Sequence, residues 1–211
     1  MTGIIALPEP SIEHATTSAE AAPSASYAYK ASLVGSAHQF ELTEQGLSWQ
    51  VGSRSGVWPY ADIAEIRLSY RPASMQSRRF RCDITRNDGQ RIAIYSTSWQ
   101  TIALMTTQDR PYRDFITQLH ARMQQAGSTA KLTGGINYAV FVAGGALVAL
   151  VAIAIAGLLV RALATGELGG ALFLVGFAAL FAWQIGGFLR RNRPQPYTFD
   201  ALPQALLPQG K

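Results

Sequence analysis

Residues 138–160, YAVFVAGGALVALVAIAIAGLLV, carry no charged side chain and no polar stripe on any helical face. A helix of that length extends roughly 34 Å at about 1.5 Å per residue, enough to cross a hydrocarbon core of about 30 Å. A surface helix of a soluble protein keeps one face polar, this run offers none, and a buried hairpin of this size would need a larger protein around it. A second run, GALFLVGFAALFAWQIGGFL at 170–189, follows with Gln184 as its one strongly hydrogen-bonding side chain. The connection at 161–169 is short and glycine-punctuated, so the two helices must run antiparallel. The pattern predicts a two-helix transmembrane hairpin: helix one at 138–160, an external loop at 161–169, helix two at 170–189. Neither run holds Asp, Glu, Lys, Arg or His, so a proton relay or ion site has little to build on. Gln184 is expected to hydrogen-bond between helices.

The flanking charges give the orientation. Lys131 precedes the first run, Arg190, Arg191 and Arg193 follow the second, and the loop offers only Arg161. Cationic residues collect on the cytoplasmic side. Lys131, Arg190, Arg191 and Arg193 are therefore expected as anchor flanks, with both termini cytoplasmic. Small residues recur at Gly145, Ala149, Ala152 and Ala156, and again at Gly176, Ala179, Gly186 and Gly187. They would allow close helix approach within the hairpin or in a homo-oligomer.

The rest of the chain is polar enough to fold in water. Its net charge of +5 comes mainly from 15 Arg against 3 Lys, a basic excess that fits an anionic partner. The single cysteine, Cys82, excludes an intrachain disulfide and fits a reducing compartment. Residues 1–28 lack a secretory signal pattern and are rich in Ala, Ser, Thr, Pro and Glu, which predicts a disordered tail.

Residues 37–97 alternate with period two, the strand signature. Phe40 and Leu42 share a face, as do Leu47, Trp49 and Val51; then Ala64, Ile66, Leu68 and Tyr70; then Phe80, Cys82 and Ile84; then Ile92 and Ile94. Asp88-Gly89 sits between the last two strands, where a tight turn needs positive φ. One amphipathic helix follows, capped by Asp109 with Pro111 in its first turn, its stripe being Tyr112, Phe115, Ile116, Leu119 and Met123. That stripe must bury against the open side of an antiparallel sheet.

The stretches FELTEQGLSW, PYADIAEIRL, RFRCDITRNDGQRIAI and YRDFITQLHARM, within roughly 33–126, give this region its order of strands closed by one helix. In that order it resembles pleckstrin-homology-like (PH-like) domains of bacterial membrane proteins. The resemblance implies an α+β fold: an antiparallel PH-like split barrel with one C-terminal capping helix, followed by the transmembrane hairpin. It also implies a binding or scaffolding role at the bacterial inner (plasma) membrane. Phosphoinositide-binding members use a basic loop between the first strands; here the turns at 43–46 and 52–56 hold Glu44 and Arg54. The expected organisation is a tail at 1–28, a cytoplasmic PH-like domain at 29–126, a linker at 127–137, the hairpin, and a cytoplasmic tail at 190–211.

No catalytic constellation is visible. His14, His38 and His120 stand far apart without metal-ligand spacing, and Cys82 alternates with Phe80 and Ile84 as a small core residue. The chain reads as non-enzymatic, with no cofactor and no metal. The arginines are the candidate site: Arg67, Arg71, Arg78, Arg79 and Arg81, with Arg67 and Arg71 expected on the wet face of one strand and Arg79 and Arg81 on that of another, against anionic lipid headgroups or a protein partner. Nucleic acid is not expected, because no exposed aromatics interleave with these arginines. The other reading is a subunit of an oligomeric membrane complex assembled through the hairpin.

Overall fold

A computed structural model of the chain describes residues 25–33, 35–71, 78–101 and 104–209. The fold is α+β. Strands β1 (Ser26–Tyr29), β2 (His38–Leu42), β3 (Leu47–Val51) and β4 (Arg54–Trp58) form an antiparallel meander in chain order. Strands β5 (Ile63–Tyr70), β6 (Phe80–Arg86) and β7 (Arg91–Tyr95) form a second antiparallel unit, followed by a short ribbon of β8 (Thr97–Trp99) and β9 (Met105–Thr107). Helix α1 (Asp109–Gln125) comes next, then β10 (Lys131–Gly134), α2 (Tyr138–Ala164), α3 (Leu168–Arg191) and β11 (Gln195–Pro196).

The alternating residues land where their period puts them. Phe40, Leu42, Leu47, Trp49, Ile66, Leu68, Cys82, Ile84, Ile92 and Ile94 are buried together with the α1 stripe. Some positions differ: an irregularity between Ile63 and Glu65 shifts the register, so Ile63 is buried and Ala64 only half-buried, and at the strand ends Val51 and Tyr70 are half-buried while Ser69 is buried. Gly89 adopts φ +84 at the predicted turn, which its missing side chain makes inexpensive. Asp109 lies inside the first turn of α1, and the cap position is Gln108, without a side-chain cap bond.

No closed barrel forms among the described residues. β1 and β7 face each other across a seam that tyrosines bridge: Tyr27 and Tyr29 donate to the Tyr95 and Ala93 carbonyls, each at 2.6 Å. The hydroxyls take up edge carbonyls that a hydrogen-bonded ladder would otherwise satisfy.

Both expected connectors belong to the sheet. Residues 127–137 were expected as a linker, but within them β10 pairs parallel to β5, with Leu132 opposite Ile66 and Gly134 opposite Leu68. A parallel neighbour has to arrive by a crossover, and the chain makes it through α1. Residues 190–211, expected as a tail, return as β11, which pairs antiparallel to β10 and places the five strands in the order β11-β10-β5-β6-β7. Pro196 lies on the outer edge, where a missing N–H costs no ladder bond. Leu206 and Leu207 then enter the core at 1% and 2% exposure. At the other end, β1 begins inside the stretch expected as a tail and buries Tyr27 and Tyr29; residues 1–24 of that tail lie outside the described residues.

The apolar pair is therefore an insertion between two neighbouring strands. α2 and α3 are long and apolar enough to cross a membrane, and the most apolar window of each is wholly unburied. Leu172, Phe173 and Trp183 are each more than 70% exposed, a surface far larger than the apolar patches of a water-soluble monomer. Both helices overrun the expected bounds and shorten the loop to 165–167. Gln184 is exposed on α3 and, among the described residues, forms no interhelical hydrogen bond.

Candidate functional site

The base of the hairpin is built from strand ends. Gly135 donates its N–H to the Leu68 carbonyl at 2.8 Å, and Ile136 donates to the Asn192 carbonyl at 3.1 Å. Asn192 is fully buried; its Oδ1 accepts from the Tyr70 N–H at 3.0 Å. Gly135 has φ +88, and a Cβ there would stand 2.5 Å from the Arg193 and Asn192 carbonyl oxygens. The two helix roots thus cross where only glycine fits. Arg191 continues the contact, its guanidinium 5.2 Å from the Tyr70 ring centre.

The start of β6 and of α1 meet this same end of the molecule through Ser96. Its Oγ accepts from the Phe80 N–H at 2.9 Å, and its carbonyl accepts from the Gln108 N–H at 2.7 Å. The backbone of Arg71 donates to the Arg79 carbonyl at 2.8 Å. Strand direction then sorts the arginines. Arg71, Arg78, Arg79, Arg110, Arg190, Arg191 and Arg193 gather near the helix roots, and none forms an ion pair with another described residue. Arg79 lies 3.9 Å over the Tyr95 ring, a cation–π contact that fixes the side chain and leaves its charge uncompensated.

Away from the roots three arginines are paired, while Arg54 and Arg91 form no ion pair with another described residue. Arg67 bonds Glu65 at 2.7 Å, and Glu65 also accepts from the Thr133 hydroxyl at 3.0 Å. Burial pushes the Glu65 carboxyl up, but the hydrogen bonds from Arg67 and Thr133 and the charges of Arg67 and Lys131 outweigh it and hold it below its ordinary range. Arg81 bonds Asp83 through Nε at 2.8 Å and through a closer second nitrogen. Burial works against the Arg81 charge, and Asp83 more than offsets it. At the far turn Arg86 reaches Asp62 at 2.9 Å and Asp88 at 3.4 Å.

The five arginines expected as one face are thus divided. Arg67, Arg71 and Arg81 line a shallow depression of about 340 Å³ that also contains Glu65 and Asp83, so much of its charge is internally neutralised. Arg78 turns to another pocket, of about 550 Å³, with Arg110 and Arg191. Of the expected anchor flanks, Arg190 and Arg191 occupy the last turn of α3 and Arg193 follows it. Lys131 does not flank a helix; it starts β10 beside Glu65. Arg110 and Asn192 were not singled out by sequence reasoning. Arg110 sits in an exposed first turn with no pattern to mark it, and Asn192 looked like part of a basic flank.

Among the described residues no group of three or more His, Cys, Asp or Glu could hold a metal. Burial pushes the Cys82 thiol well up, which suits a packed core residue more than a nucleophile. His120 is spent on structure: Nδ1 lies 2.7 Å from the Ile116 carbonyl and Nε2 2.9 Å from the Tyr197 hydroxyl. A carbonyl only accepts, so Nδ1 carries the proton and Nε2 receives the tyrosine's. Comparison with models of known protein families, with curated proteins and with solved structures finds no match.

Proposed function

We propose that the chain is a membrane-anchored, non-enzymatic binding and scaffolding module. A PH-like head sits at the cytoplasmic face of a bacterial inner membrane, held by a two-helix transmembrane hairpin with both termini cytoplasmic. One observation carries the reading: both roots of the exposed apolar hairpin are built into neighbouring strands beside a rim of unpaired arginines. The rim supports the cytoplasmic orientation, because Arg161 is the one basic residue near the opposite end of the hairpin. The PH-like reading of the head draws support from four strands and three strands followed by a capping helix; the β8–β9 ribbon before that helix, β10, β11 and the returning segment are additions to that plan. A head fixed at two points presents one constant face along the membrane, which suits docking of a protein partner or an anionic surface.

The test is an alkaline carbonate wash of membranes from cells expressing the full chain, followed by affinity capture in mild detergent. The chain is expected to stay in the pellet, and Arg71→Gln/Arg79→Gln is expected to reduce recovered partner. Release by carbonate would contradict the anchor.

A second reading has its own support. Gly145 on α2 and Gly176, Gly186 and Gly187 on α3 have open space where a Cβ would stand, so these small residues are not consumed by packing within the hairpin. The Gln184 amide is exposed beside them, and in acyl chains an unpartnered amide is costly. A second copy would supply close packing and a partner amide, which makes the chain a subunit of an oligomer. Cross-linking through Gly176→Cys in detergent is expected to give dimers on this reading, and monomer alone would count against it.

A further inference from the structure

We infer that the pocket at the foot of α3 receives the phosphate-bearing headgroup of an anionic phospholipid. The inference rests on α3 spanning the bilayer and adds a ligand class and a site to that reading. Three elements each contribute an arginine to the wall: Arg78 ahead of β6, Arg110 in the first turn of α1, and Arg191 as the last residue of α3. None of them forms an ion pair with another described residue. The one carboxylate in the wall is Asp109, whose Oδ1 is buried without a hydrogen-bond partner among the described residues. Three cations against at most one anion is an unbalanced enclosure, and the repulsion among them is relieved by a bound anion. Guanidinium forks match phosphate oxygens in pairs. The volume, about 550 Å³, lies within the range of roughly 300–1,000 Å³ usual for small-ligand sites.

Placement identifies the source of the phosphate. Arg191 belongs both to the pocket and to the end of an apolar helix, so the pocket opens at the level where headgroups lie. Ala205, which is exposed, lines the same pocket, an apolar contact available to a lipid and useless to a free phosphate ion. Basic pockets beside helix ends on the cytoplasmic side are suited to such headgroups. The depression around Arg67 and Arg81 is the weaker candidate, since Glu65 and Asp83 already occupy two of its four guanidinium groups and no residue of α3 lines it.

The experiment uses the full chain, delipidated in mild detergent and titrated in mixed micelles with phosphatidylglycerol, phosphatidylcholine or inorganic phosphate, with bound lipid read by native mass spectrometry. Preference for phosphatidylglycerol over phosphatidylcholine is expected to be about tenfold, a factor equivalent to one charge-assisted contact. Arg78→Gln/Arg110→Gln is expected to abolish it, while Arg54→Gln/Arg91→Gln, which removes the same charge elsewhere, keeps it. Asp109→Asn is expected to tighten binding several-fold, a gain that misfolding cannot mimic. Preference that survives Arg78→Gln/Arg110→Gln, that falls equally in the control pair, or that does not rise in Asp109→Asn overturns the inference. Competition by inorganic phosphate at equal strength overturns the lipid as occupant. A chain that resists carbonate but shows no lipid preference refutes the pocket alone; release by carbonate refutes the anchor beneath it.

Discussion

Asn192 joins three segments that are remote in sequence. Its side chain caps the Tyr70 N–H, its carbonyl receives the Ile136 N–H, and its own N–H closes the last turn of α3 on the Phe188 carbonyl at 3.0 Å. Asn192→Ala strands the Tyr70 N–H and empties a fully buried side-chain position, so it should cost about 1–3 kcal/mol. Arg193→Ala, one residue on and exposed, should cost little. Denaturant titration in detergent, followed by the fluorescence of the buried Trp49 and Trp58, separates the two. His120 gives a pH signature. Burial holds its pKa below the ordinary value despite the opposing Ile116 bond. The unfolded chain therefore takes up a proton below about pH 6.5 that the folded chain resists. Stability present above that pH is lost as pH falls toward the depressed pKa. The denaturation midpoint should drop between pH 7 and pH 5. His120→Gln should flatten most of that drop, leaving a residual slope from His38, which burial also lowers. His120 was not among the residues read as the helix stripe, and its partner was out of reach of the sequence. Tyr197 is brought to it by a chain return that no local pattern encodes.

The hairpin is, topologically, the connection of a two-stranded ribbon, since Gly134 pairs Gln195 across its base. Replacing residues 137–191 by a short turn should leave a water-soluble head with unchanged secondary structure. Ending the chain at residue 136 should not, because it removes Leu206, Leu207 and the His120 partner from the core. Leu206→Ala alone should cost about 2–5 kcal/mol in the full chain and in the chain with the short turn. Circular dichroism and thermal melting of the two shortened chains make the comparison. Strands β2, β3, β5, β6 and β7 were legible because alternation assigns each side chain to a face without knowledge of its partner. β1, expected as tail, β4, expected partly as a turn, β10 and β11 were not. In β10 and β11 four and two residues are too few for a period, and their pairing is fixed by a crossover and by a return from the far side of two long helices. The expected linker was read from length, and the sheet had an open edge beside β5 that length does not reveal. The helix ends were also misjudged: the polar residues just past each apolar run continue the helix, since Arg161 and Arg190 are both good helix formers.

Ion pairing is uneven across the molecule. Carboxylates pair Arg67, Arg81 and Arg86, and the arginines near the helix roots form no ion pair, as Arg54 and Arg91 elsewhere do not, among the described residues. That unevenness was only half legible. The arginine-rich stretch was evident, and the Glu65–Arg67 and Arg81–Asp83 spacing puts each pair on one strand face. Which arginines reach the helix roots depends on tertiary pairing with Asn192 and Ser96. The division matters for function, because a neutralised sheet face and an uncompensated rim attract different partners. The central claim is that the head and both roots of the hairpin share one side of a membrane while the 165–167 turn lies on the other. It is tested most directly by labelling intact cells with a membrane-impermeant maleimide. Cys82 is buried and should stay silent, so single cysteines at Thr129→Cys and Glu167→Cys report the two sides. Glu167→Cys should label in intact cells and Thr129→Cys only after permeabilisation. Labelling of both before permeabilisation, or of Thr129→Cys alone, would contradict the account.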